Sequence, residues 1–256
     1  VVANIGFNLG AASGTSLELS NIGVSGCYCG FALCGSQFNK FNHLTATGNT
    51  VGLYLYTTAS SQGGNNNYFN SYYAQGNDVG LMLYNGGSGE LQSNWFDNLV
   101  THAGMCGVYI YGPTGPNTFT NWAPEQNGNI DNWPASATIY SATVKAGALQ
   151  LDNKARLSLV NCFPFTTSIA NVYLYSGRMY LTNSSTLVIS KSSIQGLNIE
   201  KDITSSVAVD HSGGGGIISD TLYPPFTTAK TVSFLNSLPF SVDHASTTKT
   251  AVSTLA

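Results

Sequence analysis

Four carboxylic acids and three tryptophans fall within residues 90–133, and together they could bind and cleave a sugar chain. Glycosidic hydrolysis uses two carboxyl groups, one protonated as the acid and the other ionised as base or nucleophile. Tryptophan rings suit the C–H faces of sugars, and the chain has no tryptophan elsewhere. The carboxylic acids are Glu90, Asp97, Glu125 and Asp131, and the tryptophans are Trp95, Trp122 and Trp133. This region is therefore the first candidate for a substrate site.

His102 lies in the same region and is a further candidate for binding substrate. Between residues 121 and 134 the sequence is irregular, which predicts a long loop, and long loops on rigid scaffolds concentrate function. Each of these candidate residues also has a purely structural explanation. A carboxylate in a loop is more often solvated or caps a turn, and a single histidine is most often structural. A tryptophan can also cover a sheet or fill an interface between chains.

Two short repeated phrases must form the elements that position these residues. The first is a glycine followed by alternating apolar residues, usually ending in tyrosine, and its copies begin at residues 30, 52, 80 and 107. The second places an asparagine two residues before a phenylalanine, and its copies begin at residues 39, 67, 94 and 117. Copies of the first phrase lie 22, 28 and 27 residues apart. Such a period is typical of a solenoid, in which each repeat buries its apolar face only by stacking on its neighbours.

Each phrase alternates apolar and polar residues over four or five positions, which predicts a strand with one buried face. The connections are too short for crossover helices, so equivalent strands of successive repeats must pair in parallel around a cylinder. The sequence therefore predicts an all-β, right-handed parallel β-helix over residues 1–216, with coils of 22–28 residues. The glycine-rich run at 212–216 predicts a linker, and residues 217–256 a C-terminal cap or oligomerisation segment with a tail.

The repeat also predicts which side chains stack. Leu53, Leu81 and Val108 are expected in one inward column, and Leu157, Met179 and Val207 in another. The first phrase is expected to continue, in altered form, from residues 148, 171 and 196. The asparagines are expected to stack as a ladder at turns, where this residue bonds its own backbone. They are Asn39, Asn67, Asn94 and Asn117, with Asn42 and Asn70 as a second set.

Composition excludes several classes of function. Only 8% of the residues are charged, against about a quarter in ordinary globular proteins. Residues 1–139 hold one basic residue, Lys40, and six acidic ones, a net charge of −5, which disfavours nucleic acid as a partner. No apolar run is long enough to insert into a membrane.

Cysteine usage points away from metal and disulfide chemistry. The five cysteines form an odd number, their neighbours are apolar, and Cys27 and Cys29 are too close for the usual spacing of metal ligands. We therefore expect small buried core residues, assembly in a reducing cytosol, no metal and no cofactor.

Coils of this length, with these two phrases, little charge, abundant Asn, Gly, Ser, Thr and Tyr and no signal peptide, resemble the β-helical tailspikes and tail fibres of bacteriophages over residues 17–217. The resemblance implies a homotrimer on the virion tail, assembled in the host cytoplasm, that binds a bacterial surface polysaccharide and often cleaves it. No catalytic motif of that family carries over residue by residue. Because the sequence begins without Met, we expect Val1 to lie within a longer polypeptide.

Three functions remain open on this basis. The first is a tailspike that binds and hydrolyses polysaccharide, the second a non-catalytic structural or adhesive β-helix of a virion appendage, and the third a polysaccharide lyase or epimerase. The third would need a basic group beside a uronate, and the scarcity of bases in the first half counts against it. Tyr56, Tyr84 and Tyr111 share one repeat position, so we predict a column of stacked rings that could also bind glycan.

Overall fold

The computed structural model describes residues 4–9, 16–57, 64–87, 89–115, 117–125, 127–128, 136–139, 142–160, 162, 178–191, 197–202, 204–210, 216–219, 232–235, 241–243 and 253–254. Within these ranges the regular structure is entirely β-strand, in three sheets. The same ranges contain no helix that is long and apolar enough to cross a membrane.

Two long sheets contain nearly all the strands. Sheet A contains, in spatial order, β1 (Ile5–Leu9), β3 (Cys29–Cys34), β5 (Val51–Thr57), β7 (Val79–Asn85), β9 (Cys106–Tyr111), β14 (Gly147–Asp152), β16 (Arg178–Leu181), β18 (Leu197–Lys201), β20 (Gly216–Ser219) and β22 (Ser241–Asp243). Sheet B contains β2 (Glu18–Ser25), β4 (Lys40–Thr47), β6 (Tyr68–Gln75), β8 (Trp95–His102), β10 (Asn117–Thr120), β15 (Arg156–Val160), β17 (Thr186–Ser190), β19 (Ser206–Asp210), β21 (Val232–Leu235) and β23 (Ser253–Thr254), and β11 (Ala123–Glu125) also pairs with β8. The third sheet is the antiparallel hairpin of β12 (Ser136–Ile139) and β13 (Ala142–Lys145).

The chain alternates between sheets A and B and moves one strand along each sheet at every return. Every neighbouring pair within these two sheets is parallel, as between β5 and β7 and between β6 and β8. The prediction of an all-β chain with parallel strands stacked repeat upon repeat is therefore confirmed. The two stacked parallel sheets are consistent with a parallel β-helix-like fold.

The longer strands of sheet B bend at one equivalent residue each. Asn21, His43, Ser71 and Asn98 have φ angles of 58°, 53°, 59° and 53°, in the left-handed region. Asn121, between β10 and β11, has the same conformation, with φ of 56°. Left-handed backbone turns the chain sharply, so each of these strands presents two segments that face different directions. This bend decides which side chains of sheet B share a face.

One predicted core column is confirmed and the other is wrong. Leu53, Leu81 and Val108 are in register and fully buried in sheet A. Met179 continues this column, because it pairs with Leu149 on one side and Ile199 on the other. The column in sheet B instead runs through Leu157, Leu187 and Val207. The repeat lengthens to 30 residues between Leu149 and Met179, so a spacing of 22 placed Met179 in the wrong sheet.

The predicted asparagine ladder is confirmed and buried. The Nδ2 of each member donates to the Oδ1 of the next, at 2.8 Å from Asn39 to Asn67 and 3.0 Å from Asn67 to Asn94. Asn94 donates to Asn117 at 3.0 Å. A second buried ladder, absent from the sequence prediction, joins Asn49 to Asn77 at 2.9 Å. These bonds satisfy amide groups that would otherwise be buried without partners.

The glycine that opens each copy of the first phrase is required by close packing between repeats. A Cβ atom at Gly52 would lie 2.6 Å from the carbonyl oxygen of Gly80, and one at Gly80 would lie 2.7 Å from that of Gly107. Such approaches are below van der Waals contact. The absence of a side chain at these glycines therefore allows neighbouring strands of sheet A to lie close together near their first residues.

Cysteine placement agrees with the sequence prediction of core residues. Cys29, Cys34, Cys106 and Cys162 are buried, and Cys27 is partly exposed. Burial raises the pKa of the Cys106 and Cys162 thiols to about 12, which keeps both protonated and unreactive. Among the described residues, no three metal-ligating side chains cluster together.

The domain boundary expected at residue 216 stays a prediction. Strands β20 to β23 continue both sheets in parallel, for example with Ile218 in register with Val242 and Phe234 with Ser253. The stacked sheets therefore extend beyond residue 216, and a capping or oligomerisation role for 217–256 stays a prediction. The linker expected at 212–216 and the phrase expected from residue 171 fall largely outside the described residues.

Candidate functional site

Two exposed aromatic rings lie side by side on the outer face of sheet B. Trp95 opens β8 and is in register with Tyr68, which opens β6. Their exposed fractions are 47% and 37%, whereas Phe69 and Phe96, one residue further along, point into the core. Neighbouring parallel strands are about 4.8 Å apart, so the two side chains are adjacent. Lys40 precedes Tyr68 in register, and we call Lys40, Tyr68 and Trp95 the aromatic row.

A row of polar side chains runs beside the aromatic row, two residues further along each strand. It contains Asn42, Asn70 and Asp97, which are in register. The Nδ2 of Asn70 donates to the Oδ1 of Asn42 at 3.4 Å, and the Nδ2 of Asn98 donates to the Oδ1 of Asn70 at 3.2 Å. We call Asn42, Asn70 and Asp97 the polar row. The face formed by both rows carries few charges.

Asp97 is the predicted carboxylate that the structure places against the exposed rings. Its Oδ1 accepts a hydrogen bond from the Nδ2 of Asn121 at 3.0 Å, and its Oδ2 accepts one from the Tyr68 hydroxyl at 3.5 Å. Burial raises the pKa of Tyr68, and the charge and hydrogen bond of Asp97 raise it further. Asp97 is therefore held in place by one donor from β6 and one from the bend that follows β10.

Glu90 lies in the segment that leads into β8, five residues before Trp95. Its Oε2 accepts hydrogen bonds from the Nδ2 of Asn65 at 3.2 Å and from the Nε2 of Gln92 at 2.8 Å. The side chain is exposed, on the aromatic-row end of the strand. Glu90 therefore stays a candidate partner of Asp97.

Glu125 does not join this face. It ends β11 and is in register with His102, which is five residues beyond Asp97 on β8. The bend at Asn98 lies between Asp97 and His102 and turns the later segment to another face. Glu125 and His102 therefore lie apart from the face that holds Asp97, and a catalytic role for Glu125 stays a prediction.

The prediction that Trp122 is an exposed platform is wrong. Its side chain is fully buried, its Nε1 donates to the Oγ1 of Thr101 at 3.1 Å, and its ring meets Phe119 edge-on at 5.8 Å. The reason is that residues 121–125 are not a loop: Asn121 adopts the left-handed bend and β11 pairs with β8. Trp122 fills the core position that is occupied by Leu99 in the preceding repeat.

A signal in the sequence could have corrected this prediction. An apolar residue follows each phenylalanine of the second phrase at a distance of three, as Leu44, Tyr72, Leu99 and Trp122 do. Sequence reasoning missed Tyr68. The second phrase would have identified it, because the residue between the asparagine and the phenylalanine points outward. Asp131 and Trp133 lie outside the described residues.

No protein-family model and no curated protein matches the sequence. Among solved structures, the chain is similar to the catalytic domain of a GH87 alpha-1,3-glucanase variant in complex with tetrasaccharides, with a TM-score of 0.44 and 13% identity over 89% of this chain. The alignment spans 46% of that domain's length. The proposals that follow rest on the residues of this chain.

Proposed function

We propose that this chain is a right-handed parallel β-helix of the phage tailspike type that binds a bacterial surface polysaccharide on the outer face of sheet B. The observation that carries the proposal is the exposed ring pair of Tyr68 and Trp95 beside the polar row. Exposed aromatic surface rimmed by polar groups is typical of binding sites. The rings would cover the apolar faces of sugars, and Asn70 and Asp97 would bond their hydroxyl groups.

The composition of the face favours a neutral or weakly charged polymer. The aromatic row contributes one positive charge, at Lys40, and the polar row one negative charge, at Asp97. Glu18, in register with Lys40 and bonded to Asn42 at 3.4 Å, adds a second negative charge at the edge of the face. Amide groups, which both donate and accept hydrogen bonds, form the rest of the polar row. Recognition would therefore depend on ring packing and hydroxyl bonding, and only weakly on salt.

Hydrolysis of the bound polysaccharide is the second candidate function. The observation that favours it is a carboxylate at position 97, where the two preceding repeats have asparagine, directly beside the rings. Its two hydrogen-bond donors would hold the carboxyl group in place as base or nucleophile, and Glu90 or Asp131 would supply the acid. A separation of about 5–5.5 Å between the two carboxyl groups would give retention of configuration, and one of about 6.5–9.5 Å would give inversion.

Assembly and location belong to the same proposal. The chain would act as a homotrimer in the virion tail, at the bacterial cell surface, without nucleic acid or membrane insertion. The resemblance to tailspikes supports this part. Light scattering on the full-length protein tests it, and the mass of a single chain would contradict it.

A screen with bacterial strains tests the binding function. The labelled protein is incubated with cells of strains that carry different capsules and lipopolysaccharides, together with Trp95→Ala and Tyr28→Ala as variants. Tyr28 is a matched control, since it is an exposed aromatic residue, at 38%, in the turn before β3. We expect the wild type and Tyr28→Ala to bind the same strains and Trp95→Ala to lose at least about tenfold in affinity, or about 1.4 kcal/mol. Equal binding by all three proteins contradicts the proposal.

A further inference from the structure

A second group of ionisable side chains lies on the outer face of sheet A, apart from the aromatic and polar rows. The Nζ of Lys145 is 4.9 Å from the centre of the Tyr180 ring. Tyr180 is in register with Gln150 on one side and Glu200 on the other. Asp152 follows two residues after Gln150 on β14. These residues come from distant parts of the sequence and meet only because the repeats stack.

The hairpin β12–β13 is fixed to sheet A and carries Lys145 at its end. The amide oxygen and the amide nitrogen of the buried Gln150 side chain both form hydrogen bonds to this hairpin. Its Oε1 accepts from the Lys145 backbone N–H at 2.7 Å, and its Nε2 donates to the carbonyl oxygen of Thr143 at 3.1 Å. Val144 packs in an apolar cluster with Tyr109 on the same face. The backbone of Lys145 is therefore held by buried contacts, which fixes the point from which its side chain extends.

The electrostatics of this cluster leave the lysine available to a ligand. Burial lowers the pKa of Lys145, against the opposing effect of the Glu200 and Asp152 charges. Within the described residues its ammonium faces the Tyr180 ring, an arrangement of the cation–π kind, and makes no direct ion pair. Both carboxylates act on the pKa of Lys145, and among the described residues neither forms an ion pair with its ammonium.

Asp152 is held on one side and open on the other. Its Oδ1 accepts hydrogen bonds from the Oγ1 of Thr182 at 2.8 Å and the Nδ2 of Asn183 at 2.7 Å. Among the described residues its Oδ2 has no hydrogen-bond partner. A carboxylate that is fixed through one oxygen presents the other as an acceptor in a defined direction.

An aromatic surface leads directly to this carboxylate. The rings of Tyr84 and Tyr111 stack at 4.8 Å with an angle of 12° between their planes, which confirms that part of the predicted tyrosine column. Tyr56 is in the same register and stacks on Tyr54 of its own strand. Tyr111 is in register with Asp152. The half-buried rings therefore end at an acceptor, and the row of Gln150, Tyr180 and Glu200 runs beside it, two residues earlier on each strand.

We propose that Lys145, Asp152 and Glu200 around Tyr180 form a second saccharide site, which takes a neutral sugar chain lying over Tyr111. Lys145 donates hydrogen bonds to sugar hydroxyls, and Asp152 and Glu200 accept them. One positive and two negative charges give the cluster a net charge of −1, which repels uronates. The inference rests on saccharide binding as the proposed function, but it uses other residues and another face.

Calorimetric titration of the folded wild-type chain with short neutral glucans of different linkage tests this site, with oligogalacturonate as the charged comparison. The variants are Lys145→Met, which keeps the apolar stem over Tyr180, and Glu200→Gln, which keeps its size. Lys191→Met, at an exposed lysine on another part of the surface, is the matched control. We expect two bound glucans per wild-type chain and weaker binding of oligogalacturonate. Lys145→Met should lose one of the two bound glucans, Glu200→Gln should weaken that same site about tenfold, and Lys191→Met should behave as wild type.

The outcomes separate this inference from the proposed function. One glucan per wild-type chain, lost in Trp95→Ala and unchanged in Lys145→Met and Glu200→Gln, overturns the second site and keeps the first. One glucan lost in Lys145→Met and unchanged in Trp95→Ala supports the second site and removes the first. If no glucan binds, neither site binds neutral sugars and both proposals are overturned. If oligogalacturonate binds more tightly than the glucans, the proposal that the second site takes a neutral sugar chain is wrong.

Discussion

The hydroxyl of Tyr68 donates a hydrogen bond of 3.5 Å to Oδ2 of Asp97, across two neighbouring strands and diagonally between two rows of side chains. Tyr68 is in register with Trp95, so its bond to Asp97 reaches two residues further along β8. This contact joins the aromatic row to the polar row. It places a carboxylate, a phenol and an indole on one small area of the surface, where a sugar could touch all three.

Replacing Asp97 by Asn separates binding from hydrolysis. The amide matches the residues at positions 42 and 70 and keeps an oxygen that accepts a hydrogen bond, so binding should change little. If Asp97 is a catalytic base or nucleophile, turnover should fall by at least about a hundredfold. Release of reducing ends measures turnover, and cell adsorption measures binding. Glu125→Gln is the matched control. Normal turnover in Asp97→Asn would remove Asp97 from catalysis, and a wild-type chain that binds cells but releases no reducing ends would be a binding protein alone.

Replacing Gly80 by Ala should destabilise the stacked repeats. The new Cβ would meet the carbonyl oxygen of Gly107, an atom of the backbone that cannot turn aside. We expect the free energy of unfolding to fall by about 1–3 kcal/mol, the usual cost of overpacking. Denaturant titration measures it. Gly23→Ala is the control, because a Cβ there has no neighbour within 4 Å, and equal effects at both positions would refute the explanation.

Replacing Asn67 by Ala should break the buried ladder. The Oδ1 of Asn67 accepts from both the backbone N–H and the Nδ2 of Asn39, so the variant removes the acceptor of two buried N–H groups, while Nδ2 keeps its second bond to Ser36. Each such loss costs about 1–3 kcal/mol. Asn42→Ala, at a partly exposed member of the polar row, should cost much less in the same thermal or denaturant experiment. A smaller effect at Asn67 than at Asn42 would contradict the ladder's role.

The surroundings of Asp202 predict that part of the free energy of unfolding depends on pH. Burial raises the pKa of its carboxyl group, but hydrogen bonds from Ser205, Asn183 and Thr204 outweigh burial and leave the pKa below the ordinary 3.8. A depressed pKa stabilises the fold above the unfolded value of 3.8, and this contribution is lost as the pH falls through the folded value. Asp202→Asn should therefore be less stable than wild type at neutral pH. The difference should shrink below about pH 4, and a difference that stays constant with pH would exclude this linkage.

Part of the fold could be predicted because the first repeats keep one register. Leu53, Leu81 and Val108 occupy the same place in copies of one phrase, and Asn67 and Asn94 do so in the other. Met179 could not be placed in this way, because strands of both sheets alternate apolar and polar residues alike. When a repeat changes length, alternation alone does not say which sheet a strand joins.

The candidate sites show the same limit. Trp95 and Asp97 could be singled out by residue type, and Tyr68 could have been found from its repeat position. Asn and Gly near Trp122 suggest a loop, which is why sequence reasoning misassigns this residue. Its position three residues after Phe119 already indicates the core. The cluster of Lys145 and Glu200 has no local signal, since stacking brings together residues 55 positions apart.

A crystal structure of the chain with an oligosaccharide from the polysaccharide it binds tests the central claim most directly. The account predicts a sugar ring packed on Trp95 and Tyr68, with hydroxyl groups in hydrogen-bond contact with Asn70 and Asp97. A sugar bound elsewhere, with these two rings bare at saturating ligand, would contradict it.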